Sequence, residues 1–210
     1  MVETVAIPSD QFFIKAFEKL NADSNRLELL NDIAATLKQA ISDEHLVNLN
    51  FICTHNSRRS QFAQVWAHFA TDYFKLPQIQ CFSGGTAVTS FFKNTVKSVQ
   101  QTGFTFKLID FSHRNPTYQI NYPSASSPIK GFSKLYDDPH NKTPFIAITT
   151  CDSADSNCPF IPEATHRFHL PFVDPKKFDN TPTQAEHYLA TSQQIAGEIY
   201  YIFEKVKNSL

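Results

Sequence analysis

The sequence predicts an α/β fold, an open parallel sheet with helices on both faces. Strand-like runs alternate with helix-like stretches from Val47 onward, the pattern of a parallel sheet joined by helical crossovers. Pro144-Phe145-Ile146-Ala147-Ile148-Thr149-Thr150 is almost wholly apolar or β-branched, as suits a strand covered on both faces. Of the 210 residues, 41% are hydrophobic and 20 are phenylalanine. That is enough large apolar side chain for a real core, and it excludes a globally disordered chain.

The elements follow in order. Residues 9–43 read as two helices; the second carries Leu27, Leu30, Ile33, Ala34, Leu37 and Ile41 at helical spacing, a stripe that must pack on a neighbour. Val47–Ile52 alternates like a strand, and after a polar turn Phe62, Val65, Trp66, Phe69 and Ala70 fall on one side of a helix. Ile79–Phe82 reads as a second strand ending in Ser83-Gly84-Gly85-Thr86, and a helix from about Phe91 to Gln101 stops at Gly103. Phe104–Ile109 reads as a third strand. Residues 111–143, with Pro116, Pro123, Pro128 and Pro139, break the rhythm and read as an inserted loop or hairpin on the sheet. Pro144–Thr150 and His166–Leu170 supply further strands. The last helix opens with Thr183-Gln184-Ala185-Glu186, a capping-box pattern, and buries Tyr188, Ile195, Ile199 and Phe203. The chain thus divides into an N-terminal helical extension, 1–45, and a sheet-bearing domain, 46–210, interrupted at about 111–143.

Nineteen basic against 20 acidic residues give a net charge of -1, so nothing electrostatic calls for nucleic acid or an anionic membrane as partner. Apolar runs are only a few residues long, far below the about 18 of a membrane span. The opening Met1–Pro8 lacks the basic and apolar regions of a signal peptide. A cytoplasmic location is expected. Four cysteines, Cys53, Cys81, Cys151 and Cys158, are too few for a disulfide scaffold; in a reducing compartment they serve as core side chains, catalytic groups or metal ligands. Cys81 has no motif around it and reads as core.

The sharpest signal is Cys53-Thr54-His55-Asn56-Ser57-Arg58-Arg59-Ser60, a Cys-x5-Arg-Ser run between a strand and a helix. Five residues between Cys and Arg let the chain curl so that the backbone N–H groups of residues 54–60 converge on a tetrahedral oxyanion. The following helix adds the positive end of its dipole, which also favours the Cys53 thiolate as nucleophile. Arg59 can grip two oxygens of the anion. Ser60 is placed to hydrogen-bond the sulfur and Asn56 to lock the loop from within. Arg58 reads as a solvated side chain adding positive potential, and His55 as a loop residue.

This loop resembles that of the low-molecular-weight protein tyrosine phosphatase superfamily, and especially its thioredoxin-coupled arsenate reductase branch, whose loop typically reads Cys-Thr-Gly-Asn-Ser-Cys-Arg-Ser. His55 stands where glycine is usual and Arg58 where a second cysteine is usual. Ser83-Gly84-Gly85-Thr86 resembles the family's Ser-Ala-Gly-Thr segment. The similarity covers about residues 46–207, broken by the insertion, leaves the N-terminal helices outside, and implies that the open parallel sheet is four-stranded.

A second signal is Cys151-Asp152-Ser153-Ala154-Asp155-Ser156-Asn157-Cys158-Pro159, directly after a strand. In a helix, residues seven apart lie ~10 Å apart along the axis, too far for the about 7 Å Cα limit of a disulfide. Bridging therefore needs local unwinding, which a segment rich in Asp, Ser and Asn allows. The residues alone leave open a redox relay, two buried thiols, or zinc ligands with His166 and His169, the last disfavoured by the spacing. The resemblance favours the relay, since this stretch is similar to the redox segment of thioredoxin-coupled arsenate reductases. Leu170-Pro171-Phe172-Val173-Asp174-Pro175 places an Asp-Pro step in a loop after the last strand, where proline fixes the direction of the carboxyl group. The family carries its general acid on such a step, which points to Asp174, with Asp179 a lesser substitute.

The resemblance implies an arsenate reductase: arsenate settles on the loop, Cys53 attacks arsenic, Asp174 protonates the departing oxygen, and Cys151 then Cys158 carry the resulting disulfide to thioredoxin. No obligatory cofactor is implied beyond that thiol reductant. The same loop also fits a phosphomonoesterase acting on phosphotyrosine or another aryl phosphate through a cysteinyl-phosphate. A third reading is a non-catalytic oxyanion- or zinc-binding module.

Overall fold

The structure, a computed structural model, describes residues 7–44, 46–157 and 160–210. The opening residues read above for a leader, 1–6, lie outside these, as does Cys158. The main sheet has four parallel strands in the order β2-β1-β6-β7, formed by β1 (Val47–Cys53), β2 (Ile79–Gly85), β6 (Phe145–Thr149) and β7 (Ala164–His169). The helices are α1 (Ser9–Glu18), α2 (Ser24–Glu44), α3 (Arg59–Tyr73), α4 (Lys93–Gln101), α5 (Asp152–Asn157) and α6 (Gln184–Ser209).

Side-chain alternation along the two central strands divides the core. Val47, Leu49 and Phe51 of β1, with Ile146 and Ile148 of β6, join a large cluster with α1, α2, α3 and α6. Ile52, Phe145 and Ala147 point the other way into a small cluster with Ala154 of α5, and Cys53 and Cys151 both belong to it. A period of two thus gives each central strand two buried faces.

The N-terminal helices are built into the large core. Trp66 of α3 is fully buried, stacked by Phe12 and Phe13 of α1 at ring distances of 5.2 and 5.6 Å. Its Nε1 donates to Ser192 Oγ of α6 at 2.9 Å. Arg26 of α2 pairs with the buried carboxylate of Glu198 on α6, Nη2 to Oε2 at 2.8 Å.

Two expectations change. Phe104–Ile109 does form a strand, β3 (Thr105–Asp110), but outside the parallel sheet. It pairs antiparallel with β4 (Thr117–Asn121), which pairs with β5 (Ile129–Gly131), as a separate three-stranded sheet. The break in the parallel fold therefore begins near residue 105 rather than 111, and the inserted hairpin is the rest of this sheet. The capping box at Thr183 is not made: its side chain bonds no helix amide, although α6 starts where expected. Gly103 does close α4, at φ +88.

Candidate active site

β1 ends at Cys53 and α3 begins at Arg59, so the loop between them sits at the carboxyl edge of the sheet, where open α/β sheets bind ligands. Its carbonyls are turned outward and fastened there. Cys53 O accepts from Thr86 N at 3.2 Å, Thr54 O from Ala87 N at 2.8 Å, and His55 O from Ser133 Oγ at 2.8 Å. Asn56 O accepts from Gln61 Nε2 at 3.0 Å and Ser57 O from Phe92 N at 3.2 Å. Among the described residues no acceptor takes the amides of Thr54 to Arg59, so this run of N–H donors is open to an anion.

Asn56 is the strained residue of the turn, at φ +45, a left-handed conformation that asparagine tolerates better than most. His55 is not in that region, so histidine in place of the family's glycine carries no backbone penalty. Asn56 locks the loop as expected: Nδ2 donates to Ser60 Oγ at 2.9 Å, while Oδ1 accepts from Lys134 N at 3.0 Å and Gln61 Nε2 at 3.1 Å. Ser60 Oγ lies 3.1 Å from Cys53 Sγ, and both residues are buried.

Arg59 Nη1 donates to Phe172 O at 3.1 Å and Nη2 to Asp174 Oδ2 at 2.7 Å. Its Nε is buried without a protein partner, a donor left over for a ligand. Asp174 is extended, φ -74 and ψ 119, and caps the 3-10 turn Pro175–Phe178 by accepting from Lys176 N at 2.9 Å. The Asp-Pro step thus fixes one carboxyl oxygen on its own turn and aims the other at the loop's arginine.

Arg58 departs from the solvated role expected of it. Its side chain is only 11% exposed, donates to Tyr188 Oη at 2.8 Å and Asp179 Oδ2 at 3.2 Å, and lies 4.1 Å above the Phe92 ring. Tyr188 Oη in turn donates to Asp179 Oδ1 at 2.7 Å. Asp179 is therefore committed to a clamp between the loop, α4 and α6. Burial and this carboxylate push the Tyr188 hydroxyl well above the usual tyrosine range.

Cys151 sits at the start of α5 and is 3% exposed. Its Sγ lies 3.5 Å from Thr54 Oγ1 and accepts from Ala154 N at 3.4 Å. The residue next to Cys53 therefore touches the sulfur of Cys151. α5 is stapled to the sheet by His169 of β7, whose ring nitrogens contact Thr149 Oγ1 at 2.9 Å and Asp152 Oδ1 at 3.1 Å. No group of three or more His, Cys, Asp or Glu side chains is placed to hold a metal ion among the described residues. Cys81 is core, and burial raises its thiol far above the ordinary range.

The second motif, Ser83-Gly84-Gly85-Thr86, packs beneath the loop. A Cβ on Gly85 would come within 2.8 Å of Asn56 N and 2.9 Å of Thr54 O, so only glycine lets the backbones approach this closely. Gly84, where the resembling family has alanine, faces the backbone of Tyr136. There the chain returns from the β3–β5 sheet and bridges to Gly85 through Leu135.

Sequence reasoning missed one contributor to this site, Arg26. Besides its pair with Glu198, it donates to Pro171 O at 3.0 Å and lies 5.0 Å above the Phe172 ring. The N-terminal helices thus support the segment carrying Asp174. An arginine at the start of an amphipathic helix gives no pattern that would distinguish it from a solvated one.

Comparison with known proteins decides the family. The chain is 30% identical over 151 residues to the arsenate reductase of Bacillus licheniformis, a match covering 71% of this chain and 86% of that one. It belongs to the arsenate reductase family. The arsenate reductase of Bacillus subtilis is 27% identical over 150 residues, with 71% of this chain and 86% of that one covered. Low-molecular-weight phosphotyrosine phosphatases from Vibrio cholerae O395 and T. tengcongensis share the fold. The first has a TM-score of 0.52 at 13% identity over 75% of this chain and 95% of that one. The second has a TM-score of 0.52 at 16% identity over 78% and 99%. No family model matches. The four-stranded parallel sheet is therefore the fold that these phosphatases also have, here with the N-terminal helices packed onto it.

Proposed function

We propose that the chain reduces arsenate to arsenite, with Cys53 as nucleophile, Arg59 and the loop amides as oxyanion site, Asp174 as general acid, and Cys151 and Cys158 as the disulfide relay. What supports this reading is that the segment from Cys53 to Ser60 leaves the amides of Thr54 to Arg59 and the Arg59 Nε without protein partners among the described residues and holds the Cys53 sulfur on Ser60, with the Cys151 sulfur against the adjoining Thr54.

Arsenate takes its oxygens to the amides of Thr54 through Ser60 and to Arg59. The Cys53 thiolate attacks arsenic, and a hydroxyl leaves as water with the proton of Asp174. Cys151 then attacks Cys53 Sγ. The S–As bond breaks, its electron pair stays on arsenic as arsenic(III), and a Cys53–Cys151 disulfide forms. Cys158 attacks the Cys151 sulfur, freeing Cys53 and leaving Cys151–Cys158 for thioredoxin to reduce, as a cytoplasmic reductant would. Two thiols are oxidised and one arsenic is reduced by two electrons.

The test is arsenate-dependent oxidation of thioredoxin by wild type, Cys151→Ser and Cys158→Ser. Wild type is expected to turn over and both variants to stall. Efficient hydrolysis of p-nitrophenyl phosphate, unchanged by either substitution and without arsenate reduction, would replace this reading with the phosphomonoesterase one.

A further inference from the structure

A cleft of about 640 Å³ opens on the outer side of edge strand β2, between α3 and the β5 end of the inserted sheet. That is the size of a metabolite site. Ile79, Phe82 and Ile129 give it an apolar wall, and four lysines, Lys75, Lys130, Lys134 and Lys142, line it against a single carboxylate, Asp72. That carboxylate is already committed. It accepts from Tyr122 Oη at 2.5 Å and Ser126 N at 2.9 Å. His140 is engaged by Lys130 Nζ at 2.7 Å and Asp138 Oδ1 at 2.8 Å.

Lys134 differs from the other lysines. It is 3% exposed, and its Nζ has no hydrogen-bond partner among the described residues. Its charge is offset in part by the Phe132 ring face at 4.9 Å and by the negative charge of Asp138. Its backbone is tied on both sides, N to Asn56 Oδ1 at 3.0 Å and O from Gly85 N at 2.8 Å, so the main chain is held at this wall of the cleft. Burial pulls its amine down to about 8, which still leaves it mostly protonated near neutral pH. A buried ammonium with no hydrogen-bond acceptor is destabilising, and Lys134 Nζ is left with its donors unused.

We propose that this cleft is a second ligand site for a small organic anion, its carboxylate or phosphate head on Lys134 and its apolar body along Ile79 and Ile129. The anion supplies the missing partner, and the surrounding lysines draw it in. The site is separate from the Cys53 loop but shares a wall with it through the Lys134–Asn56 hydrogen bond.

The experiment is titration of the full chain with naphthoate, naphthylphosphonate and the neutral naphthamide, followed by calorimetry and by amide shifts in two-dimensional spectra. One or both anions are expected to move the amides of Ile79–Phe82 and Ser126–Lys134, and their ranking identifies the preferred head group. Naphthamide is expected to bind about tenfold or more weakly, the worth of one charge-assisted hydrogen bond. Lys134→Met should cost the anion a similar factor and leave naphthamide unchanged. Lys130→Gln, at an exposed position, should weaken the anion less and leave arsenate turnover intact. Equal binding of anion and amide, indifference to both substitutions, or anion shifts confined to residues 53–60 would each overturn the proposal.

Discussion

Arg59 and Asp174 are joined by a 2.7 Å hydrogen bond from Nη2 to Oδ2, so the proposed acid rests on the proposed anion grip. The guanidinium has one edge on Phe172 O and Asp174 and keeps Nε for a ligand. In the proposed site it therefore holds acid and oxyanion side by side. Asp174→Asn keeps the hydrogen-bonding shape without the proton, and is expected to lower arsenate turnover by about 10²–10⁴ with a smaller change in KM. Arg59→Lys keeps charge without the planar fork and should raise KM and lower kcat together. Steady-state kinetics on the two variants separates these patterns.

Cys151 and Cys158 are expected to fail at different steps. With Cys158→Ser, one equivalent of arsenite should be released and a Cys53–Cys151 disulfide should accumulate, visible by peptide mass mapping. With Cys151→Ser, that disulfide and the released arsenite should both be missing. Equal arsenite bursts from the two variants would remove Cys151 from the second step.

Arg26 links stability to the site. Removing it leaves Glu198, 2% exposed, without its cation. Burial raises the carboxyl above its usual range, and the arginine works against that shift. Arg26→Ala should cost about 3–5 kcal/mol in urea unfolding and also reduce kcat by loosening Pro171 and Phe172. Arg26→Ala with Glu198→Leu should recover much of the stability without the kcat, because the apolar pair does not hold Pro171 O.

Lys134 gives the fold a signature in alkaline solution. Its folded value of about 8 lies below the ordinary 10.5. Between those values the unfolded chain binds a proton that the folded chain lacks, so stability rises with pH through that window. Full neutralisation relieves about 3 kcal/mol. Asp138 offsets the effect and Lys130 adds to it. Lys134→Met should be more stable than wild type near neutral pH and show no such rise, as read by urea midpoints across the window.

The α/β frame and the loop were legible because their signals are local. Val47–Ile52 alternates, Cys53 to Ser60 is contiguous, and the strand before and helix after are what an anion cup needs. Phe104–Ile109 misled because alternation shows a strand but not its partner. In β3, Leu108 and Ile109 are both 47% exposed, a degree of exposure invisible in a hydrophobic run. Arg58, Arg26 and Lys134 escaped for one reason: composition places charged side chains outside, and only tertiary contacts with Tyr188, Glu198 or the wall of a cleft bring them in. The link between Thr54 and Cys151 spans 97 positions, and no spacing rule reaches that far.

Gly84 records a dependency in how such a protein can change. The chain returning from the inserted sheet runs so close over it that a methyl group would strike the Tyr136 backbone, the same backbone whose carbonyl receives Asn50 Nδ2 at 3.0 Å. The smaller residue is therefore permissive for the added sheet. A relative with alanine here could not acquire that sheet in this position without first losing the methyl, whereas this chain could shed the sheet and keep its glycine. Transplanting residues 105–143 onto such a relative is a two-part operation for the same reason, with the donor turn travelling alongside the graft.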